Sequence, residues 1–239
     1  MKDKNKKNVP ITEEKETKQT VHLISFLGTE EEGFLYLLAR AGSLLNKKIL
    51  VLDNSKEQKL TKLFSCDTKE AAFIKAQNLY FGNMVAYDEK AFALFDHCFI
   101  YFGENAAMDW AQEYIEKSDL LFISLPYDKY QVEHLQEVLF SDEERTKSFV
   151  TDHTIALFLQ KLSKKVHENQ ILSECGLSEV VERYICDFSL EYAIGIEALR
   201  YNKIATTKLL KDDLADAYKD IIKRIYQLND KEVKKVFTK

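Results

Sequence analysis

The chain has 239 residues, of which 46% are hydrophobic and 31% charged, so it can bury a substantial core and is not a disordered protein. Its 39 acidic and 34 basic side chains give a formal net charge of -5, which provides no general attraction to nucleic acid or to anionic lipid. There is no apolar stretch of roughly 18 residues, no signal-peptide core and no C-x-x-C pair among the four cysteines, so we expect a cytoplasmic protein with reduced thiols.

The chain begins with a polar segment and then changes character. Residues 1–19 contain almost nothing apolar and mix both charge signs, so burial cannot offset the entropy of ordering them. We expect a flexible charged tail there, followed by a single domain over residues 20–229. The domain opens with an apolar run at residues 21–27 that ends at Gly28, and its length and glycine stop predict a buried strand.

A helix and a second strand follow. Apolar residues recur at near-helical spacing over residues 34–45, and residues 46–48 place basic charge at the end of that helix. The run at residues 49–52, followed by Asp53, predicts a buried strand that ends in an acidic loop. Strand, helix and strand together span about 30 residues, which is typical of a β-α-β unit and implies a parallel sheet.

The same alternation continues to the C-terminus. Two further central strands are predicted at residues 98–102 and 120–125, with a helix between them near residues 109–117. Later strands are predicted at residues 154–159 and 181–186, and helices at residues 130–140, 189–201 and 209–228. The pattern predicts an α/β three-layer sandwich, in which a mostly parallel central sheet is flanked by helices.

The turn after the first strand is the expected place for chemistry. In nucleotide-binding α/β folds the phosphates sit there, because unpaired backbone N–H groups and the helix dipole converge on it. In this chain the turn consists of Gly28, Thr29, Glu30, Glu31, Glu32, Gly33, Phe34 and Leu35. The two glycines have the separation of the P-loop pattern G-x-x-x-x-G-K-[ST], which is compatible with the backbone frame of a phosphate cradle.

The side chains of this turn do not suit a phosphate. Phe34 stands at the place of the lysine that reaches the phosphates, and Leu35 at that of the hydroxyl residue that holds Mg²⁺. The three glutamates would repel phosphate oxygens about 4 Å away by roughly 1 kcal/mol even in bulk water. Their alternative role is structural, since a carboxylate at a helix N-terminus stabilises the helix by about 0.3–1 kcal/mol. Both readings agree with a phosphate site that holds no nucleotide.

Residues 24–53, ISFLGTEEEGFLYLLARAGSLLNKKILVLD, resemble the first β-α-β unit of the MinD/ParA ATPases. In that family an apolar strand is followed by G-K-G-G-V-G-K-T, a helix of small residues, and K-K-V-L, a hydrophobic residue and Asp. The resemblance implies a P-loop NTPase fold. It also places Thr29 at the position of a second family lysine, which reaches across a dimer to the partner's nucleotide. Both lysines of the family motif are therefore missing.

Later segments extend the resemblance over residues 20–228. Residues 95–104 resemble the family strand whose terminal aspartate governs Mg²⁺ and the attacking water, and Tyr101 or Phe102 falls at its place. Residues 116–139 and 185–204 resemble the next strand–helix step and the segment that covers the adenine side. Asp53 matches the acidic end of the second strand, although a loop carboxylate also serves as a solvated turn or cap residue. The resemblance implies a degenerate member without the catalytic residues.

Other chemistries find little support in the sequence. The five histidines show no H-x-x-x-H or H-E-x-x-H spacing, so no metal site is expected. His97 and Cys98 are adjacent on a predicted strand and therefore point to opposite faces, which disfavours a nucleophile–base pair. A receiver domain would need its acceptor aspartate after the third strand, and flavodoxin-like binding would need glycine-rich loops where only Gly103 occurs. We expect no catalytic residue.

The C-terminal segment, residues 230–239, reads as a short basic tail. Val233, Val236 and Phe237 stand at i, i+3 and i+4 among four lysines. This pattern is similar to the basic amphipathic tail by which MinD-like proteins touch membranes, and it allows peripheral binding to the inner face of the membrane. A frayed, solvated helix end is the alternative.

The sequence thus leads to one hypothesis and one alternative. The hypothesis is a bacterial, cytoplasmic, MinD/ParA-like pseudo-ATPase without a cofactor. It would bind protein partners, either itself as a dimer or an active homologue, in partition, polar localisation, secretion or conjugation machinery. No nucleic-acid signature is present. The alternative is a divergent ATPase that binds Mg-ATP weakly, hydrolyses it with a partner and recruits a lysine from elsewhere, such as Lys47 or Lys48.

Overall fold

The computed structural model describes residues 21–29, 32–56, 60, 74–76, 78–82, 89–159, 166–186 and 212–238. The strands in this part of the chain are β1 (His22–Gly28), β2 (Ile49–Asp53), β3 (Ile74–Ala76), β4 (Leu79–Gly82), β5 (His97–Gly103), β6 (Leu120–Pro126), β7 (Thr154–Leu159) and β8 (Glu182–Cys186). The helices are α1 (Glu32–Leu44), α2 (Glu89–Phe92), α3 (Asp109–Glu116), α4 (Lys129–Val138), α5 (Glu143–Ser148), α6 (Glu168–Glu174), α7 (Asp212–Tyr226) and α8 (Asp230–Thr238), with a 3₁₀ helix at Glu104–Ala107.

The described strands form one sheet of eight, in the order β3-β4-β2-β5-β1-β6-β7-β8. Seven of them run parallel, and β3 alone pairs antiparallel with β4 at one edge. Helices pack on both faces, so the predicted α/β three-layer sandwich is confirmed. The β3–β4 hairpin was not predicted, because its strands have only three and four residues and too few apolar positions for a periodic signal.

Most predicted elements match observed ones within one or two residues at each end. All six predicted strands are present, and the predicted helices near residues 109–117 and 130–140 correspond to α3 and α4. Helix α7 covers most of the predicted helix at residues 209–228. The predicted tail over residues 1–19 and the predicted helix over residues 189–201 lie outside the described residues.

The two faces of the sheet carry separate cores. One, here called the α1-side core, joins apolar side chains of α1, α7 and α8 to sheet residues such as Phe26, Phe99 and Phe122. The Phe26 ring stacks on those of Phe99 and Phe122, with ring centroids 5.9 and 4.7 Å apart. The other, the α3-side core, joins α3, α4 and α6 to residues such as Ile100 and Phe102. Because both faces are covered, the central strands are nearly continuous apolar runs.

Helix α1 is buried almost all round. Residues 33–39 are all buried, because α1 lies between the sheet and α7. Two tyrosines of α7 reach the backbone of α1: the hydroxyl of Tyr218 donates to the carbonyl of Leu37 at 2.9 Å, and that of Tyr226 to the carbonyl of Leu38 at 2.8 Å. Burial raises the pKa of both hydroxyls, so they remain donors. These bonds fix α7 on α1.

The C-terminal segment differs from the predicted tail. Residues Asp230–Thr238 form helix α8, and Val233 and Val236 are 4% and 1% exposed within the α1-side core. Two of the three apolar side chains that suggested a membrane-binding tail therefore contribute to the core, and the side chain of the third, Phe237, lies outside the described part of the chain. Apolar residues at i and i+3 occur both in helices that bind membranes and in helices that pack on a core, so the sequence alone does not distinguish the two.

The first prediction concerns Gly42, where α1 approaches both α7 and β2. A Cβ at this position would lie 2.6 Å from the hydroxyl oxygen of Tyr226 and 2.6 Å from Cδ1 of Ile49. We expect Gly42→Ala to destabilise the protein, because overpacking costs about 1–3 kcal/mol whereas alanine gains about 1 kcal/mol in helix propensity. Urea unfolding would measure the change.

The matched background for this test is Tyr226→Phe, which removes the oxygen that crowds position 42. The cost of Gly42→Ala should be smaller there, since neighbouring sites couple. An alanine that stabilises the protein in both backgrounds would show that the close approach does not exist.

The amino edge of the sheet, where the parallel strands begin, contains a buried histidine. The His97 ring lies 5.1 Å from that of His22 and 4.8 Å from that of Tyr226, and only 5% of His97 is exposed. Burial first, and the charges of His22 and Lys47 next, lower the pKa of His97 to about 4, while a backbone hydrogen bond to Ile225 and the charge of Asp96 oppose this shift. The folded protein therefore keeps His97 neutral.

The second prediction follows from this pKa. Between pH 6.5 and about 4 the unfolded chain binds a proton at His97 that the folded chain does not, so stability falls as the pH falls through this window. We expect a loss of about 2–3 kcal/mol from this residue. His97→Phe should remove that part of the pH dependence in urea unfolding, whereas the control His153→Phe, at an exposed position, should keep it. Equal pH profiles for the two variants would contradict the assignment.

Candidate functional site

The candidate site lies at the carboxyl edge of the sheet, where parallel strands end side by side. Gly28 at the end of β1 pairs in register with Ser124 of β6, and Asp53 at the end of β2 pairs with Tyr101 of β5. The structure therefore brings the first turn, Asp53 and Tyr101 to one edge. Neighbouring strands β1 and β5 are followed by helices on opposite faces, α1 and α3. Ligands of open α/β sheets bind at such a switch point.

The first turn is held tightly against β6. Gly28 has φ of 95°, and a Cβ on it would lie 2.2 Å from the carbonyl oxygen of Ser124. The backbone N–H of Thr29 donates to that same oxygen at 2.9 Å. Only glycine fits this position, because it combines a left-handed φ with close backbone contact. Glu30 and Glu31 lie outside the described residues, and Glu32 is the first residue of α1.

The residues that the sequence analysis assigned to the lysine and Mg²⁺-hydroxyl places lie in the core. Phe34 and Leu35 are each 2% exposed and are part of the α1-side core. The Phe34 ring meets that of Tyr218 edge-on, with centroids 6.1 Å apart. Gly33, which ends the P-loop spacing, is also buried inside α1. The side chains at these positions are apolar or absent, and they pack the first turn of α1 against the sheet and α7.

Asp53 is buried, whereas the sequence analysis allowed for a carboxylate in a solvated loop. It is 1% exposed, and its Oδ1 accepts hydrogen bonds from the backbone N–H and the hydroxyl of Ser55, at 3.1 and 2.6 Å. The alternative role as a turn residue fits this geometry, since Asp commonly bonds the backbone two residues on. Its neighbour Asn54 donates its N–H to the carbonyl of Tyr101 at 2.7 Å.

Tyr101 and Phe102 are the two candidates for the position of the family's strand-end aspartate. Tyr101 lies on the face of the sheet that α1 covers. It is 3% exposed and lies in the α1-side core. Asp53 shares that face, because it follows Val51 by two residues in the same strand. Phe102 points to the opposite face, where its ring lies 5.7 Å from that of Trp110. A phenol therefore stands beside Asp53, where the family resemblance calls for a carboxylate.

Lys47 and Lys48 are at the wrong edge of the sheet to serve this site. Lys48 precedes β2, and its N–H donates to a carboxylate oxygen of Asp96 at 2.7 Å, just before β5 begins. Asp53 is five residues further along an extended strand, which places it roughly 16 Å away. The recruitment of either lysine to a phosphate at the carboxyl edge is therefore not compatible with the fold.

Sequence reasoning missed three polar residues of this edge: Ser55, Asn105 and Ser124. The side-chain amide of Asn105 donates to the carbonyl of Asn54 at 2.7 Å, which ties the 3₁₀ helix to the end of β2. A usable signal was present, because each of the three lies at or just after the end of a predicted strand.

Among the described residues, no group of three or more His, Cys, Asp or Glu side chains is placed to hold a metal ion. The helices within the same described ranges include none that is both long and apolar enough to cross a membrane.

The third prediction tests the first turn. We expect Gly28→Ala to destabilise the protein by about 2–4 kcal/mol, because the left-handed conformation costs roughly 1–2 kcal/mol and the Ser124 backbone must also move. The matched control is Gly176→Ala: φ there is 70°, but the added Cβ meets only Cγ2 of Thr146 at 3.3 Å. The control should cost about 1 kcal/mol. Equal losses in urea unfolding would contradict the close contact between β1 and β6.

No protein-family model matches the sequence, and no curated protein matches it. The fold does match solved structures. A ParA family ATPase from Chlorobium tepidum TLS has a TM-score of 0.59 at 13% identity, over 84% of this chain and 98% of that chain.

Two further structures show the same similarity. A chain of the MinC:MinD cell division protein complex of Aquifex aeolicus has a TM-score of 0.61 at 11% identity, covering 87% of this chain and 96% of that chain. The ATP complex of a Cyanothece McdA variant has a TM-score of 0.59 at 13% identity, with 87% and 97% covered. The chain therefore has the fold of the ParA and MinD P-loop ATPases.

Proposed function

We propose that this protein is a non-catalytic, ParA/MinD-like pseudo-ATPase that acts by binding protein partners in a positioning or assembly system. One observation carries the proposal: the first turn of α1, where a P-loop ATPase needs a lysine and a hydroxyl, contributes Phe34 and Leu35 to the core at 2% exposure each. Tyr101 beside Asp53 supports it, since a phenol does not replace the carboxylate that controls Mg²⁺.

The energetics of phosphate binding favour this proposal. A hydrogen bond to a charged group contributes about 1.5–3 kcal/mol, so the absence of two lysine contacts weakens binding by about 3–6 kcal/mol. That corresponds to roughly 10²–10⁴-fold in Kd. If an intact motif bound a nucleotide with a micromolar Kd, the backbone N–H groups at Gly28–Gly33 alone would bind it with a millimolar Kd.

The partners are inferred from chemistry and from the similar structures. The MinD chain from Aquifex aeolicus is found in complex with MinC, a protein. For the present chain the net charge of -5 gives no general attraction to nucleic acid. We propose protein partners, including a second copy of the chain or an active homologue, in bacterial partition, polar localisation, secretion or conjugation machinery.

A divergent ATPase is the second candidate, and one observation favours it. The left-handed Gly28, followed by α1 at Glu32, preserves the strand–turn–helix geometry in which N–H groups and the helix dipole attract phosphate. In this case the protein would bind Mg-ATP weakly and hydrolyse it only with a partner that supplies the missing cation.

The fourth prediction separates the two candidates. A Kd of about 50 µM would raise the Tm by about 5–10 °C at about 5 mM Mg-ATP, from a stabilisation of about 2.7 kcal/mol. We expect a rise of no more than about 2–4 °C with Mg-ATP or Mg-ADP, the effect of a Kd of about 1 mM at this concentration, and no micromolar binding in calorimetric titration. Phosphate release should stay at the buffer rate with and without a partner. Clear micromolar binding of Mg-ATP would overturn the pseudo-ATPase proposal.

A further inference from the structure

The amino edge of the sheet contains a buried nitrogen that the fold itself does not use. Nδ1 of His97 is shielded from solvent and has no hydrogen-bond partner within the described part of the chain. The hydrogen bond to the backbone of Ile225 therefore comes from the other ring nitrogen, Nε2. Burial above all lowers the pKa of His97 to about 4, so at neutral pH Nδ1 carries a lone pair. A buried acceptor of this kind commonly has an ordered water or an ion as its partner.

A second histidine stands next to this nitrogen on the neighbouring strand. His22 of β1 pairs in register with His97 of β5, so the two side chains project from the same face of the sheet. Their ring centroids are 5.1 Å apart, and the ring planes are tilted by 34°. Two metal–nitrogen bonds of about 2.0–2.1 Å each span up to roughly 4 Å. Rings at this separation can place one nitrogen of each within that span.

The other nitrogen of each ring already has the contact that metal-bound imidazoles make. Such rings direct the nitrogen that is not on the metal to a carbonyl or a carboxylate, which fixes the tautomer and the ring orientation. Nε2 of His97 bonds the backbone of Ile225, and Nδ1 of His22 lies 3.7 Å from Oδ2 of Asp119. Nδ1 of His97 and Nε2 of His22 are thus the two nitrogens left for one ion.

The surroundings of the pair allow an ion to enter and to stay. The side chain of His22 is 44% exposed, so an ion can arrive from that side and complete its coordination with water. The backbone N–H of His22 donates to the carbonyl of Asp96 at 3.1 Å, which fixes the start of β1 against β5. The charge of Lys47 on His97 disfavours a cation, whereas that of Asp96 favours one, and Asp119 adds a second carboxylate beside His22.

We propose that Nε2 of His22 and Nδ1 of His97 bind one divalent transition-metal ion of the class that prefers imidazole, such as Zn²⁺, with water at its remaining positions. Mg²⁺ is not expected to bind, because it prefers oxygen ligands. The ion joins β1 to β5 and, through Ile225, to α7. The proposal is independent of the proposed function, since the pair lies at the edge of the sheet opposite to the first turn.

The experiment uses the full-length protein, stripped of metal with EDTA and titrated with Zn²⁺ by calorimetry in a buffer without nucleotide. Cys98, Cys175 and Cys186 are buried, and Cys66 is replaced in all samples by Cys66→Ser, so that no thiol outside the described residues takes up Zn²⁺. We expect one Zn²⁺ per chain with a micromolar Kd, and no binding of Mg²⁺ at the same concentrations.

Five variants locate the ion. His22→Asn and His97→Gln should each weaken Zn²⁺ binding at least tenfold. The matched controls His134→Asn and His153→Asn remove exposed histidines and should leave the Kd unchanged. Asp119→Asn keeps the oxygen that accepts the N–H of Leu23 but removes the carboxylate charge, so it should weaken binding about tenfold. Circular dichroism checks that each variant is folded.

A second measurement leaves both histidines in place, because His97 is buried and its substitution affects packing as well. In ¹⁵N NMR of the imidazole rings, Zn²⁺ should shift Nδ1 of His97 and Nε2 of His22, and leave the rings of His134 and His153 unchanged.

Three outcomes overturn the proposal. The first is no uptake of Zn²⁺, in which case the partner of Nδ1 is a water only. The second is a Kd that is the same in His22→Asn and His97→Gln as in the unsubstituted protein, and the third is a shift confined to other histidines. None of these outcomes bears on the pseudo-ATPase proposal, which calorimetry with Mg-ATP tests separately.

Discussion

The burial of α1 between the sheet and α7 is the constraint on which the rest of the structure depends. A helix with residues 33–39 all buried needs a partner on its outer side, and α7 provides it with an apolar face and two tyrosine hydroxyls. Those hydroxyls donate hydrogen bonds to the backbone carbonyls of Leu37 and Leu38 within α1. A buried hydroxyl without an acceptor would cost about 1–3 kcal/mol, so the contacts also specify how α7 sits on α1.

This packing accounts for the chemistry of the first turn. Once the start of α1 is part of the core, Phe34 and Leu35 stabilise the fold by apolar burial, which contributes about 1.5–3 kcal/mol for each side chain. A lysine at the first of these positions would need a compensating anion, such as a phosphate, to be tolerated there. The start of α1 therefore contributes to the stability of this fold through apolar packing.

The two edges of the sheet have different surroundings. At the amino edge, His97 is enclosed by His22 and by Tyr226 of α7, which extends the α1-side core to that end. At the carboxyl edge, β1 and β6 are held together at Gly28 and Ser124, while the loops after β5 and β6 expose aromatic side chains. The closely packed part of that edge thus lies next to the part that exposes aromatic side chains.

The sequence by itself determined six of the eight described strands, the parallel α/β architecture and the apolar side chains at positions 34 and 35, because these depend on local apolar runs and residue identity. It left open whether Tyr101 or Phe102 shares a face with Asp53, whether Asp53 is solvated, and whether Val233 and Val236 belong to a tail. Only the tertiary structure decided these points. Strand register and helix docking place residues distant in the chain beside one another, and no local pattern encodes which surface an amphipathic helix will cover.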